Sequence, residues 1–252
     1  MNNQTSHIEK TLEYYSMWLG ENRVLLQNVD EIKYIYSEER NKIQYGYGQP
    51  FDIYIFVMVD KIIVSYGDKA KPQIGILKDS VGAFKTVEDL KATLKTIYGK
   101  AVGHNIKYVF SGKKTDDCSA KVLCKNDYEE YENFFKNANP KCSNLDWLQA
   151  YFEEMIQGNL CVGAYEGSML VSCTDAPGMP YMSDEVQEIG INTLPDYRGR
   201  GYATIACQGS VNEILKNGKV PQWSTSITNI ASQKLAEKLG FIKLGDVITI
   251  TI

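Results

Sequence analysis

The sequence predicts an α+β protein in two parts, a small α+β unit over residues 1–112 and, over residues 118–252, an α/β half with a mixed central sheet flanked by helices. Three observations predict it. Apolar residues recur at helical spacing in some segments and stand in short alternating or β-branched blocks in others. The polar stretch 111–117 separates two such regions, as a linker does. The charge balance changes across it, with 16 basic and 15 acidic residues up to position 117 and 11 and 16 beyond it.

In the first part, Ile8, Leu12, Tyr15 and Leu19 share one face of a helix. Residues 52–59 and 61–66 are β-branched and aromatic and meet at Asp60-Lys61, which predicts a hairpin. A helix opens at Thr86, whose hydroxyl can cap the amide near Asp89, and stops before Gly99. Residues 106–110 form a further strand. No motif in this part carries chemistry of its own, and a role in packing or in shaping the site of the second part is expected of it.

In the second part the expected order is β-α-α-β-β-β-α-β-α-β. Residues 120–124 form a strand, 128–136 and 146–157 helices, and 160–165 with 169–173 a hairpin turning at Glu166-Gly167. Residues 185–193 alternate, with Ile189, Ile191 and Thr193 opposite Val186, Glu188, Gly190 and Asn192, and read as one central strand. A glycine-rich turn at 198–201 leads into a helix over 202–215. Residues 222–227 form a strand, 229–239 a helix capped by Asn229, and 247–252 the last strand.

Composition excludes several function classes. A net charge of −4 leaves no global positive field for nucleic acid or an anionic membrane. The longest apolar run, 53–59, is far short of the roughly 20 residues of a membrane helix. The polar opening, residues 1–6, lacks the pattern of a secretory signal, so a cytoplasmic location is expected. Six cysteines without a C-x-x-C pair read as free, buried thiols, and with only His7 and His104 present no metal site is expected.

The segment Arg198-Gly199-Arg200-Gly201-Tyr202-Ala203 stands between a strand and a helix. Two glycines free several successive amides to point into one concavity at a helix N-terminus, where the helix dipole favours negative charge. Arg198 and Arg200 add cations suited to phosphate oxygens. The segment fits neither a Walker sequence nor a dinucleotide fingerprint, which would need a glycine where Thr204 stands.

With this segment, residues 120–252 resemble the GNAT superfamily of N-acetyltransferases, whose coenzyme loop reads [QR]-x-x-G-x-[GA]. Residues 229–241 are similar to the family's N-x-x-[AS]-x-x-L-x-x-K-x-G-F segment. The resemblance implies direct transfer of an acetyl group from acetyl-CoA to an amine of a small molecule or peptide. It implies that the backbone of Ile191, Asn192 and Thr193 pairs with the pantetheine arm as an added strand would. The amides of Gly199, Arg200, Gly201, Tyr202 and Ala203, with Arg198, take the pyrophosphate, and Asn229 and Ser232 meet the coenzyme from the second strand-to-helix junction.

An alkyl ammonium must lose a proton before it attacks a thioester, and Glu188 is the expected general base, facing the cleft opposite Ile189 and Ile191, with Asp184 and Glu185 in reserve. One departure stands out. The family often has a Tyr after the Leu of the second motif to protonate the leaving thiolate, and here that position is Ala236. A water or Tyr181 is expected in its place. The departure also motivates an alternative, a non-catalytic acyl-CoA-binding sensor or assembly module. The acidic second half leans towards a cationic acceptor, with the Pro/Gly-punctuated segment 176–182 lining its pocket. A homodimer is the default assembly.

Overall fold

The computed structural model describes residues 3–28, 32–44, 46–80, 86–114 and 119–252. In chain order the elements are α1 (Asn3–Leu19), β1 (Ile32–Tyr36), β2 (Ile53–Val57), β3 (Ile62–Tyr66), α2 (Ile74–Asp79), α3 (Val87–Tyr98), β4 (Gly103–Phe110), β5 (Lys121–Val122), α4 (Tyr128–Ala138), α5 (Leu148–Gln157), β6 (Val162–Glu166), β7 (Met169–Asp175), β8 (Val186–Glu188), β9 (Gly190–Thr193), α6 (Tyr202–Lys216), β10 (Val220–Ser226), α7 (Ile230–Lys238) and β11 (Phe241–Ile250). They build a seven-stranded mixed sheet, β1-β3-β2-β11-β4-β10-β8, and a four-stranded antiparallel sheet, β5-β6-β7-β9.

Alternation along the strands assigns the faces of the large sheet. From β2, Tyr54 and Phe56 join Leu12, Tyr15, Trp18 and Leu19 of α1 in one core, while Ile53 and Ile55 join Leu77 of α2 and Leu90 and Leu94 of α3 in another. Ile106, Tyr108 and Phe110 of β4 pack with Cys207 and Val211 of α6 and Ala236 of α7. Lys107, between them, faces α1, where its ammonium lies over the Tyr15 ring. The helices α4 and α5 cover the small sheet through Tyr131, Phe134, Phe152 and Met155. The Thr86 hydroxyl caps α3 by accepting the Asp89 amide, 3.1 Å away.

Strands from both sides of the 112–118 division share the large sheet. β11, the last strand of the chain, pairs antiparallel with β2 on one edge and β4 on the other, and β4 pairs antiparallel with β10. The division marks a change of composition in the sequence, and the sheet runs on through it. Of the expected linker, Ser111 is already held by a hydrogen bond from its amide to the Gly240 carbonyl, and 115–117 lie outside the described residues.

Four expectations need correction. The central strand expected over 185–193 is two strands in two sheets, for a reason given below. The last strand begins at Phe241 instead of Val247 and carries a bulge between Lys243 and Gly245, which disrupts the alternation that would have announced it. β1 and α2 were not anticipated; β1 is a five-residue strand whose Ile32 and Tyr34 face one core and Ile35 the other, and α2 is under two turns long. Among the cysteines, Cys161, Cys173 and Cys207 are buried and free as expected, but Cys124 is exposed and Cys142 half-buried. Cys118 lies outside the described residues. No helix among the described residues is long and apolar enough to cross a membrane, and no group of three or more metal-binding side chains converges among them.

Candidate functional site

The two sheets part at Ile189. Its amide donates to the Gln222 carbonyl of β10, extending the parallel β8–β10 pairing, and the next residue, Gly190, already pairs with Asp175 of β7. The change of partner has a local cause. A Cβ at Gly190 would collide with the Asp175 carboxyl, so a residue without a side chain lets β7 and β9 close at that point. Beyond it, β9 is the edge of the small sheet, and the β10 residues past Gln222 meet no strand on that side among the described residues. A V-shaped opening results, in which no strand among the described residues pairs with the outer edge of β9.

This opening continues into a cleft of about 590 Å³ whose walls come from β9, the turn before α6, and the start of α7. Of the residues expected to bind the coenzyme, Ile191, Asn192, Thr193, Arg198, Gly199, Gly201, Tyr202, Ala203, Asn229 and Ser232 all line it. Gly199 and Gly201 have φ of 73° and 95°, a region that side-chain-bearing residues rarely adopt, and this turns successive amides to one side. Among the described residues, none of the six amides from Gly199 to Thr204 meets a protein acceptor; the first bonded one is Ile205, to Gly201. A helix N-terminus with its amides free and its dipole aimed at a cleft is suited to an anion such as phosphate. Arg198 is held in place by its Nε, which donates to the Thr193 carbonyl at 3.1 Å.

Arg200 is placed differently from expectation. Its guanidinium pairs with Glu166 at 2.7 Å and lies over the rings of Tyr197 and Tyr202, away from the cleft lining, so it buttresses the turn. Asn229 acts as the α7 cap, its Oδ1 accepting the Ser232 amide at 3.2 Å, while still lining the cleft. The Ser232 hydroxyl accepts from the Trp223 indole, and Trp223 is buried in the core. Lys234 and Lys238, which the sequence analysis does not select, stand one helical turn apart on α7 and line the cleft. Their i,i+4 spacing was the available signal.

Glu188 ends β8 on the α1 side of the sheet, opposite the buried Ile189, and is half-buried. Burial raises its pKa above the usual carboxylate range, and the nearby Lys107 ammonium partly restrains the rise. Lys107 is itself buried, which lowers its pKa, and donates to Ser224 Oγ at 2.7 Å. The phenols of Tyr14, Tyr15, Tyr47 and Tyr54 all feel the Glu188 charge. A carboxylate that holds a proton more readily than usual, in a low-dielectric setting, is suited to proton abstraction near neutral pH.

The other candidates are distributed otherwise. Asp184 and Glu185 are exposed, and Glu185 pairs with Lys10 at 3.2 Å, so neither stands in reserve for Glu188. A second carboxyl near Glu188 is that of Asp175, which no sequence pattern singles out; burial, then the Glu188 charge, push its pKa up to about 6. Tyr181 lies against the N-terminal part, edge-on to Trp18 and with its hydroxyl 3.4 Å from Gln44 Oε1, and does not line the coenzyme cleft. Ala236 is fully buried.

Comparison with known proteins identifies the family and the fold. Residues 87–247 match the family model described as GNAT acetyltransferase. A Bacillus subtilis (strain 168) protein described as the uncharacterized N-acetyltransferase YdfB is 43% identical over 54 residues, 21% of either chain. Two solved structures share the fold at a TM-score of 0.51: an acetyltransferase of the GNAT family from Colwellia psychrerythraea, 14% identical over 64% of this chain and 60% of that one, and a GCN5-related N-acetyltransferase from Sphaerobacter thermophilus, 12% identical over 66% and 56%. The chain thus spans about a fifth of the first relative's length and less than two thirds of either structure.

Proposed function

Because the chain belongs to the GNAT acetyltransferase family, we propose that it transfers the acetyl group of acetyl-CoA to the primary amine of a small molecule or peptide, by direct attack within a ternary complex. The observation that carries the reading is the run of acceptor-free amides from Gly199 to Thr204 at the mouth of the cleft. These amides and Arg198 take the pyrophosphate, Lys234 and Lys238 add cations for further phosphate oxygens, and the free edge of β9 at Ile191–Thr193 pairs with the amides of the pantetheine arm.

At the inner end of the opening the thioester meets Glu188. The acceptor arrives as an ammonium; its proton passes to the Glu188 carboxylate, directly or through one water, and the freed nitrogen pair attacks the thioester carbon. The C–N bond forms, the C–S bond breaks, and the thiolate leaves while the acylated nitrogen gives up one further proton to water. With Ala236 buried and Tyr181 held elsewhere, water protonates that thiolate, an undemanding step for a thiol with a pKa of about 8.5. The N-terminal part contributes the acceptor side, because α1 places Tyr14 and Tyr15 around Glu188.

Thiol release from acetyl-CoA with a panel of amines tests this. Wild-type protein is expected to release thiol in an amine-dependent way, and Glu188→Gln to lower kcat by about 10²–10⁴-fold with calorimetric CoA affinity preserved. Absence of CoA binding overturns the reading. Binding without amine-dependent release leaves the alternative of a non-catalytic acyl-CoA-binding module, which the buried Ala236 favours.

A further inference from the structure

Arg40 lies in the short 3-10 turn Glu38–Asn41 with 0% of its surface exposed, and its Nε, Nη1 and Nη2 all lack a hydrogen-bond partner among the described residues. That is an unusual condition for this side chain. A guanidinium carries five N–H donors, has no acceptor and keeps its proton in proteins, so it has no way to become neutral when water is removed. The Tyr54 ring, 5.2 Å from Cζ, supplies a π face. The neighbouring carboxylate of Glu39 is bound to Lys42 at 2.6 Å, on the surface. A buried cation with no carboxylate bonded to it among the described residues marks a site completed by something else.

The surroundings of Arg40 lead to Glu188. Tyr54, under the guanidinium, stacks on Trp18 of α1 at 5.7 Å, and Trp18 meets Tyr181 edge-on at 5.8 Å. Two residues before Tyr181, the Met179 sulfur accepts the Glu188 amide at 3.3 Å. Two residues of extended chain span about 7 Å, so a single stretch of the 176–182 segment borders both the base and the cation. The Tyr54 phenol feels both charges. Tyr181 is near enough to act electrostatically on Arg40, and its hydroxyl makes a long contact with Gln44, 3.4 Å, which a bound anion would displace.

We propose that the acceptor is a small zwitterionic amine, its amino group at Glu188 and its anionic group, carboxylate or phosphate, paired bidentately with Arg40. This rests on the amine-acetylation reading and replaces the cationic acceptor that net charge suggested. Arg40 would select the substrate and take no part in the proton transfer. A planar fork of donors matches a carboxylate or phosphate edge, which a lysine in the same place cannot reproduce.

Matched acceptor pairs test it in the full chain: β-alanine against propylamine for a carboxylate, and O-phosphoethanolamine against ethanolamine for a phosphate. The wild type is expected to show at least a tenfold higher kcat/KM for the anionic member of one pair, which identifies the anion. Arg40→Lys, retaining the charge, should abolish that preference through KM for the amine. Equal turnover within both pairs overturns the proposal, as does an Arg40→Lys variant that keeps the preference and merely melts earlier. If no amine is acetylated at all, the amine-acetylation reading fails separately, and thermal melting decides the Arg40 site. Stabilisation of the wild type but not of Arg40→Lys by β-alanine or O-phosphoethanolamine upholds it, and stabilisation of neither or of both alike overturns it.

Discussion

Asp175→Asn should make the protein more stable at neutral pH, although it alters a residue in the heart of the site. Asp175 stands at the end of β7 with its carboxyl in the space that a Gly190 side chain would need, and its pKa is raised from 3.8 to about 6, first by burial and then by the charge of Glu188. The folded chain therefore holds this proton up to about pH 6, while the unfolded chain gives it up near 3.8. Between those values the folded state binds more protons, so stability falls as pH rises through the window and the loss persists above it. At 1.36 kcal/mol per pH unit the difference amounts to roughly 2–3 kcal/mol. Asn has nearly the same shape and does not ionise. Urea unfolding of the two proteins at pH 4, 5, 6 and 7.5 should show the variant ahead by about that amount at pH 7.5, with the advantage disappearing towards pH 4. A variant that is less stable at pH 7.5, or whose offset is the same at every pH, refutes the assignment of a strained carboxyl to this position.

Lys107→Met removes the cation that restrains Glu188 while keeping the length of the side chain, so the acidic limb of kcat/KM against pH should move to higher pH; a limb that stays or moves down refutes the coupling. Gly201→Ala has open space for a Cβ but a φ of 95° to hold, so it should lower stability by about 1–2 kcal/mol and weaken CoA several-fold in calorimetry. An unchanged melting temperature with unchanged CoA affinity would show that the turn does not depend on that dihedral.

The parts of this site that were legible in the sequence are those fixed by local chemistry. Arg198 to Ala203 announce a strand-to-helix turn because glycine adopts the dihedrals observed at 199 and 201 far more readily than other residues, and Asn229 announces a helix because its side chain reaches an amide three residues on. Both are satisfied within a few residues. The acceptor side is different in kind. Glu188 can be selected from alternation, but Lys107, Asp175 and Arg40 reach the site from β4, β7 and the turn after β1, and nothing local to any of them points there. The split of residues 186–193 was hidden for a related reason. Alternation is preserved through Ile189, and what changes is the partner strand, a long-range property set by the contact between Gly190 and Asp175.

The position of β11 explains why the N-terminal part belongs to the site. The strand that closes the chain lies between β2 and β4, so the sheet carrying Glu188 at one edge is continuous with the hairpin of β2 and β3. α1 crosses this sheet on the face from which Lys107, Gln222 and Ser224 project, and anchors there by the hydrogen bond from Gln222 Nε2 to Thr11 Oγ1 at 3.0 Å. Polar side chains on a sheet face under a helix cost stability wherever a donor or acceptor goes unmet. The Thr11 hydroxyl meets the Gln222 amide and the Tyr15 ring the Lys107 ammonium, Gln222 Oε1 has no partner among the described residues, and the candidate cleft lies beyond Ile189 on β9 and the starts of α6 and α7. In the proposed function, coenzyme and acceptor thus approach Glu188 from different parts of the chain: the second half offers backbone amides to the cofactor, and the first presents aromatic rings and Arg40. On that proposal, a substitution in residues 1–112 should change which amine is accepted without altering the 198–203 turn proposed for the coenzyme.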